Sequence, residues 1–488
     1  RSRQHDYRRT FVAGRWADAD GLADVINPAT EEVIGCAPAG SARETDSAIA
    51  TAREAFDSGS WPRMSGEQRA TALDRVVAEI ARCHDDIADM IVAETGTPMT
   101  IARSMHLRTG LAQFRFAIDY ARANDGASSP PVAAPGRKGV LGAGVIRHEP
   151  RGVVAAITPF NYPFYINLVK VAAALAMGNS VVLKPSPFTP MSALALAEAI
   201  DRSELPPGVF ALAFGDESIG AQLARDPRVD MVTFTGSETA GEAVMTHAAT
   251  TTKKVTLALP GKSALIVRHD ADVELAVELG LRSLTANAGQ TCAMLSRHLI
   301  ARAHYDEYIE RLTQLAQQVV VGDPRDAATV VGPLIRQSRR ERVERVVREA
   351  LAQGATATCG GQNSPVERGF FYEPTVLTDV DPTWPIAQDE TFGPVVTVFA
   401  FDSDDEAVHL ANNSRFGLAA GIVSRDAGSA YAMACRLQVG TVNLNGGAGG
   451  LSPAHPFGGY KGSGSGREYG AAGLHEYTQT KSIMFHAG

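Results

Sequence analysis

RGVVAAITPFNYPFYINLVKVAAALAMGNSVVLKPSP, residues 151–187, carries two short apolar runs, VVAAI (153–157) and SVVLK (180–184). Between them lies a stretch with helical spacing at 166–177. The runs are rich in β-branched residues and bounded by Gly, Pro and Asn, which marks them as strands. The segment between is long enough for a crossover helix, so the second strand returns parallel to the first. VAAALAM (171–177) is too short to cross a membrane and reads as a buried core helix.

Working outward, the same rhythm continues. Strand candidates follow at 209–214, 230–234 and 253–259, with helical patterns at 190–201, 217–224 and 238–249. This predicts a parallel sheet with helices on both faces. Ligands in such sheets sit beyond the carboxyl ends of the strands, so the loops after 157, 184, 214, 234 and 259 matter most. A second alternation spans 264–444, with strand candidates ALIV (264–267), HLIA (298–301), PVVTVFAF (394–401), AGIVS (420–424) and GTVNLN (440–445). Helical periodicity also marks 44–57 and 67–93. The charged run QSRRERVERVVREA (337–350) reads as a solvated helix face. Residues 124–148 are rich in Pro, Gly and Ala and read as an excursion from the domain. The glycine-rich end, GGAGG (446–450) and FGGYKGSGSGRE (457–468), reads as packed turns because Pro456, Phe457 and Tyr460 are embedded in it.

The chain has 488 residues, 45% hydrophobic and 20% charged, with net charge −8. This composition suits a soluble globular protein of two to four domains. No basic patch invites nucleic acid, and no apolar run reaches the ~18 residues of a membrane span. The N-terminal RSRQHDYRR has no apolar run behind it and is not read as a secretory signal. The five cysteines are odd in number and none are in Cys-x-x-Cys spacing, which argues against a disulfide framework or a zinc site and for a reducing, cytoplasmic setting.

Two phosphate-loop readings fail. PGKS (260–263) lacks the upstream glycine of a Walker loop, because Thr256 stands there, and Pro260 removes a backbone donor. No Gly-x-Gly-x-x-Gly follows the first strand.

The loops at the strand ends read, in order, TPFNYPF (158–164), Lys184-Pro185-Ser186, Thr235-Gly236-Ser237, GQTC (289–292), DETFGPV (389–395) and NLNGG (443–447). Each is weak alone. As an ordered set, together with FVAGRW and INPATEEVIG near the start, they resemble the NAD(P)-dependent aldehyde dehydrogenase superfamily over nearly the whole chain. The resemblance implies an α/β fold with three parts. Residues 1–126 and 149–260 would form a Rossmann-like cofactor domain. Residues 261–455 would form an α/β catalytic domain, and 127–148 with 470–488 a small β arm for a homodimer or homotetramer. It implies Cys292 as nucleophile and Asn161 as oxyanion donor. Lys184 would contact the adenosine ribose, and Gly236 and Ser237 the diphosphate at a helix N-terminus. Glu390 would hold the nicotinamide ribose with Phe392 beside it, and Thr158, Pro159 and Leu259 would complete the cofactor path. Pro187 stands where many NAD-preferring members carry glutamate, so NAD and NADP both stay open.

One departure is decisive. The family's Leu-Glu-Leu-Gly-Gly-Lys reads here Leu257-Ala258-Leu259-Pro260-Gly261-Lys262. The general-base glutamate is alanine, and a base is typically worth ~10²–10⁴-fold. A second carboxylate that some members place near the C-terminus also reads as absent, with Gln479 in its place. The first of four explanations, a slow aldehyde oxidiser with a residual or substitute base, is favoured. The others are an acylating enzyme that passes the acyl group to coenzyme A, a Glu-to-Ala trapped variant, and a non-catalytic binding protein. Tyr162, Tyr165, Ile166, Val169, Ala293 and Met294 would line an apolar tunnel for an uncharged aliphatic or aromatic aldehyde.

Overall fold

Five parallel strands with their crossover helices, and one short antiparallel strand at the edge, make up the first sheet of the computed structural model, which describes residues 5–124, 134–135, 141–362, 364, 366–447 and 451–486. The strands are β1 (Val153–Ile157), β2 (Ser180–Lys184), β3 (Phe210–Leu212), β4 (Met231–Thr235) and β5 (Lys254–Ala258). The helices between them are α1 (Pro163–Ala176), α2 (Pro190–Arg202), α3 (Glu217–Arg225) and α4 (Glu238–Ala248). The order β3-β2-β1-β4-β5 makes β1 the point where the chain reverses its direction of travel across the sheet. Ligands collect at such a point. Val153 to Ala156 are fully buried, as expected of strands covered on both faces.

The second sheet contains β6 (Ser263–Val267), β7 (Leu295–Ala301), β8 (Thr356–Cys359), β9 (Thr375–Thr378), β10 (Val395–Phe401), β11 (Ala419–Val423) and β12 (Thr441–Leu444). Its order is β8-β9-β10-β7-β6-β11-β12, and only β8 runs antiparallel. The expected strands are all present within a few residues of their expected ends. The expected helix at 67–93 is two helices, Gly66–Arg82 and His84–Thr95, broken at Cys83.

The glycine-rich end does form packed turns. The short strand β13 (Gly464–Ser465) lies antiparallel on β5 and pairs Ala258 with Gly464. Gly464 has φ +128°, and a Cβ there would stand 2.0 Å from the Leu257 carbonyl oxygen, so only glycine allows the approach. A long strand β14 (Thr478–His486) pairs antiparallel with Leu141–Pro150. Of the proposed arm, residues 127–133 and 136–140 lie outside the described residues, as do 448–450 of GGAGG.

Candidate active site

Asn161 and Cys292 come from different sheets and are tied together by amide hydrogen bonds. Asn161 sits in the loop between β1 and α1, and Cys292 in the loop before β7. Asn161 Nδ2 donates to the Gln290 carbonyl at 2.9 Å, and Asn287 Nδ2 donates to the Asn161 carbonyl at 2.8 Å. Gln290 is pinned in turn, its Nε2 donating to the Asn287 carbonyl and its Oε1 accepting from the Ile335 N–H. Asn287 and Ala288 both hold left-handed backbone, φ 49° and 54°. That conformation is costly for non-glycine residues and survives only where surroundings over-determine it, as here. One hydrogen of the Asn161 amide is engaged by Gln290, and the second has no acceptor among the described residues.

Gly261 backs the same loop. A Cβ there would lie 2.7 Å from the Cys292 carbonyl oxygen, so the stretch after β5 presses directly on Cys292. Tyr162 closes another side, its hydroxyl sharing a hydrogen bond with Thr291 at 2.9 Å. Burial pushes the Cys292 thiol up to about 12, and the charges of Glu390 and Glu468 add to the rise.

Glu468 is the residue that the sequence reading missed. The loop that follows β13 brings its carboxylate inward, where Lys170 of α1 donates to it at 2.5 Å. The Lys170 ammonium also donates to Thr233 Oγ1 of β4 at 2.9 Å, and the Tyr477 hydroxyl donates to the same oxygen. Gln479, expected in the place of a second carboxylate, instead lies on the exposed β14 strand opposite Glu149. The match of Gln479 to a missing second carboxylate is therefore not reflected in its position on this strand. The available signal was Glu468 as the single acid in the run 457–468.

Ala258 ends β5 and is half-buried. Leu257 and Leu259 pack into the core with α4, so alternation turns Thr256 and Ala258 to the other face. A Cβ at Gly466 would meet Thr256 Cγ2 at 2.8 Å, which places that face against the chain leading to Glu468.

The residues expected to hold a dinucleotide gather along the carboxyl ends of β1, β2, β4 and β5. Lys184 ends β2, and among the described residues its buried Nζ donates only to the Pro185 carbonyl, at 3.3 Å. Burial pulls Lys184 down to about 8. Ser237 caps α4, with Gly236 just before it, so the free N–H groups of that helix face the cleft. Pro159 is half-buried in the β1 loop. The Thr158 hydroxyl donates to Asn167, and Leu259 is packed against Gly241, so these two offer backbone rather than side chains. From the second sheet come Glu390 and Phe392. Phe392 has φ 57° and meets the Phe160 ring edge-on at 5.8 Å. Glu390 Oε1 is buried without a hydrogen-bond partner among the described residues, an orphan acceptor of the kind a ribose hydroxyl satisfies. Burial pushes the Glu390 carboxyl up, and the nearby Lys262 ammonium opposes that rise. The donor set therefore fits a dinucleotide: an ammonium, a helix N-terminus, an orphan carboxylate oxygen and an aromatic wall.

The description "Aldehyde dehydrogenase family" belongs to a sequence profile that matches residues 16–483. A 3-succinoylsemialdehyde-pyridine dehydrogenase from a Pseudomonas species is 40% identical over 489 residues, covering 99% of each chain. The NAD+ complex of an aldehyde dehydrogenase from Bacillus cereus superposes with a TM-score of 0.94 at 34% identity, covering 100% of this chain and 98% of that one. A mutant of aldehyde dehydrogenase C from Pseudomonas syringae, solved with NAD+ and octanal, gives 0.93 at 38% identity, covering 99% and 98%.

Proposed function

The chain belongs to the aldehyde dehydrogenase family, and from that premise we propose that it oxidises an uncharged aldehyde to the carboxylic acid with NAD or NADP, through Cys292. The observation that carries this reading is the lock between Asn161 and the Cys292 loop, two amide hydrogen bonds of 2.9 and 2.8 Å. It holds a nucleophile and an oxyanion donor at fixed separation.

Cys292, as thiolate, attacks the aldehyde carbonyl carbon, and the carbonyl oxygen turns toward the Asn161 amide as its charge grows. Collapse of this thiohemiacetal leaves a thioester on Cys292. When bound, the nicotinamide cofactor supplies the acceptor for the hydride lost in that step. Lys184, the α4 N-terminus and Glu390 orient it. The Bacillus and Pseudomonas syringae relatives were solved with NAD+, which supports NAD as the cofactor here.

Release of the acid needs a water proton removed, and Ala258 cannot accept it. Glu390 and Glu468 both lie within electrostatic reach of Cys292, and with Glu390 assigned to the cofactor, Glu468 is left for this step. It serves as the substitute base, with Lys170 already engaging one of its oxygens. Tyr162, Tyr165, Ile166 and Val169 give an apolar approach, consistent with the octanal and pyridine-bearing aldehyde named for the relatives. The same reading assigns 1–126 with 149–260 to the cofactor domain and 261–455 to the catalytic domain. It makes the sheet of Leu141–Pro150 and β14 part of an oligomerisation arm.

Rapid mixing of enzyme, cofactor and aldehyde tests the whole. We expect a burst of reduced cofactor near one per site, then a slow steady rate. A linear trace at an ordinary turnover rate overturns the slow-deacylation reading. A steady rate raised by coenzyme A makes the thiol the true acyl acceptor.

A further inference from the structure

The helix Gln337–Gln353 starts in a way that its own electrostatics oppose. Its N-cap is Arg336, with extended backbone and no capping hydrogen bond, and its first turn holds no acid. Arg339, Arg340 and Arg342 follow. A helix N-terminus is partially positive, so cations there are unfavourable. Local rules broken this way tend to mark function.

Two of the four arginines are accounted for. Arg340 pairs with Glu344 and donates to the Gly369 carbonyl, and Arg342 donates to the Glu390 carbonyl at 3.1 Å. Arg336 and Arg339 have no ion-pair partner among the described residues, and the buried Nε of each lacks a hydrogen-bond acceptor. Both lie against aromatic rings from the first sheet's loops. The Arg336 guanidinium stands 4.1 Å over Phe188, and that of Arg339 5.7 Å from Phe160. Phe160 touches both Phe188 and Phe392, at 6.2 and 5.8 Å between centroids. Phe188 follows the exposed Pro187 at the end of the β2 loop, and Phe160 adjoins Asn161. The two guanidiniums therefore bridge the mouth of the cleft between the sheets. The sequence reading of 337–350 as a solvated face holds for its outer side only, because Arg339 is half-buried against this wall.

Resting on the dehydrogenase reading, we infer that Arg336 and Arg339 form a phosphate-binding rim for the dinucleotide, on the wall that carries Phe188 and Phe160. Planar guanidiniums held on aromatic faces and lacking acid partners suit phosphoryl oxygens, which they engage bidentately. Two phosphates could occupy the rim, the diphosphate common to both cofactors and the 2′-phosphate of NADP. Pro187 carries no charge to repel the second, although Asp216 stands within electrostatic reach of Lys184 on that side.

Isothermal titration of NAD and of NADP separates them, using the wild type and the double variant Arg336→Gln/Arg339→Gln at low and moderate salt. A charge-assisted bond contributes enough to change Kd about tenfold or more. Weakening of NADP alone assigns the rim to the 2′-phosphate, and equal weakening of both assigns it to the diphosphate. Thermal melting of the cofactor-free proteins adds a second readout. Removing unpaired cations from a helix N-terminus leaves the melting temperature unchanged or raises it. A lowered one, with cofactor Kd unchanged, makes the arginines structural and overturns the inference. Unchanged Kd values for both cofactors also overturn it, leaving the dehydrogenase reading intact. A wild type that binds neither cofactor overturns both.

Discussion

Lys170 Nζ donates to Glu468 Oε1 at 2.5 Å, joining the helix that follows Asn161 to the loop that follows β13. Lys170 is 1% exposed and Glu468 13%, so the ion pair sits inside the protein rather than on its surface. With Ala258 in the usual base position and Glu390 assigned to the cofactor, this carboxylate is the base we propose for hydrolytic water. Glu468→Gln keeps the shape and an acceptor for Lys170 while removing the base. The steady rate should fall at least about tenfold. The burst amplitude should stay near one per site. Stopped-flow absorbance reads both phases, and loss of the burst together with the steady rate would show that Glu468 shapes the site instead of serving as the base.

The Cys292 thiol is pushed up to about 12, chiefly by burial and further by Glu390 and Glu468. The thiolate is the reactive form. In the cofactor-free protein, alkylation of Cys292 by iodoacetamide should therefore accelerate about tenfold per pH unit from pH 7 to 10, without a plateau. The sign of the carboxylate effect is fixed: a nearby negative charge disfavours the thiolate, so Glu468→Gln should speed alkylation at a given pH. Mass spectrometry of the labelled peptide distinguishes Cys292 from Cys36, Cys83, Cys359 and Cys435. A plateau near pH 8 would contradict this environment.

Asn161 is held from both sides of its residue, by Gln290 and by Asn287. Asn161→Ala should cut the burst rate by ~10²–10³, the usual loss for one oxyanion donor. Asn287→Ala removes no group from the reacting centre, yet it releases the Asn161 backbone and one end of the left-handed turn. Its burst rate should fall less, by about tenfold, and the fall should be accompanied by a lower melting temperature. Equal burst rates in wild type and Asn161→Ala would remove Asn161 from the mechanism.

Much of the first sheet was legible because its strands are short, apolar and separated by helices of near-uniform length. β1 and β2 begin and end at the expected residues. The loops were legible as far as a resemblance could name them. What stayed hidden depends on distance in the chain. Glu468 lies 298 residues from Lys170, and nothing in the sequence period links a glycine-rich turn to the inner end of α1. The arginine rim was hidden for another reason: a charged helix start looks solvated unless the aromatic loops that cover it are known. Gln479 was matched to a missing carboxylate by its place near the C-terminus, whereas strand pairing sets it on the exposed β14 opposite Glu149.

The last prediction concerns Ala258. Leu257 and Leu259 face α4, so a side chain at 258 points to the opposite face, toward the chain that carries Glu468. Ala258→Glu should restore a carboxylate there and raise the steady rate toward that of the burst, by up to ~10²–10⁴-fold. Pro260 complicates the geometry. It biases Leu259 to extended backbone, and its carbonyl accepts from the Ser463 hydroxyl at 2.6 Å, so the turn is held from the β13 side. Pairing of Ala258 with Gly464 is unaffected by the side chain, because glycine stands opposite. The new glutamate would share its surroundings with Glu468 and Glu390, and like charges raise a carboxyl pKa. The steady rate of Ala258→Glu should therefore climb with pH through an apparent pKa above the ordinary glutamate value, and flatten beyond it. The Ala258→Glu/Pro260→Gly pair tests whether the turn limits the gain. If neither variant exceeds the wild-type steady rate while both keep the burst, deacylation is limited by something other than the missing carboxylate, such as access of water to the thioester.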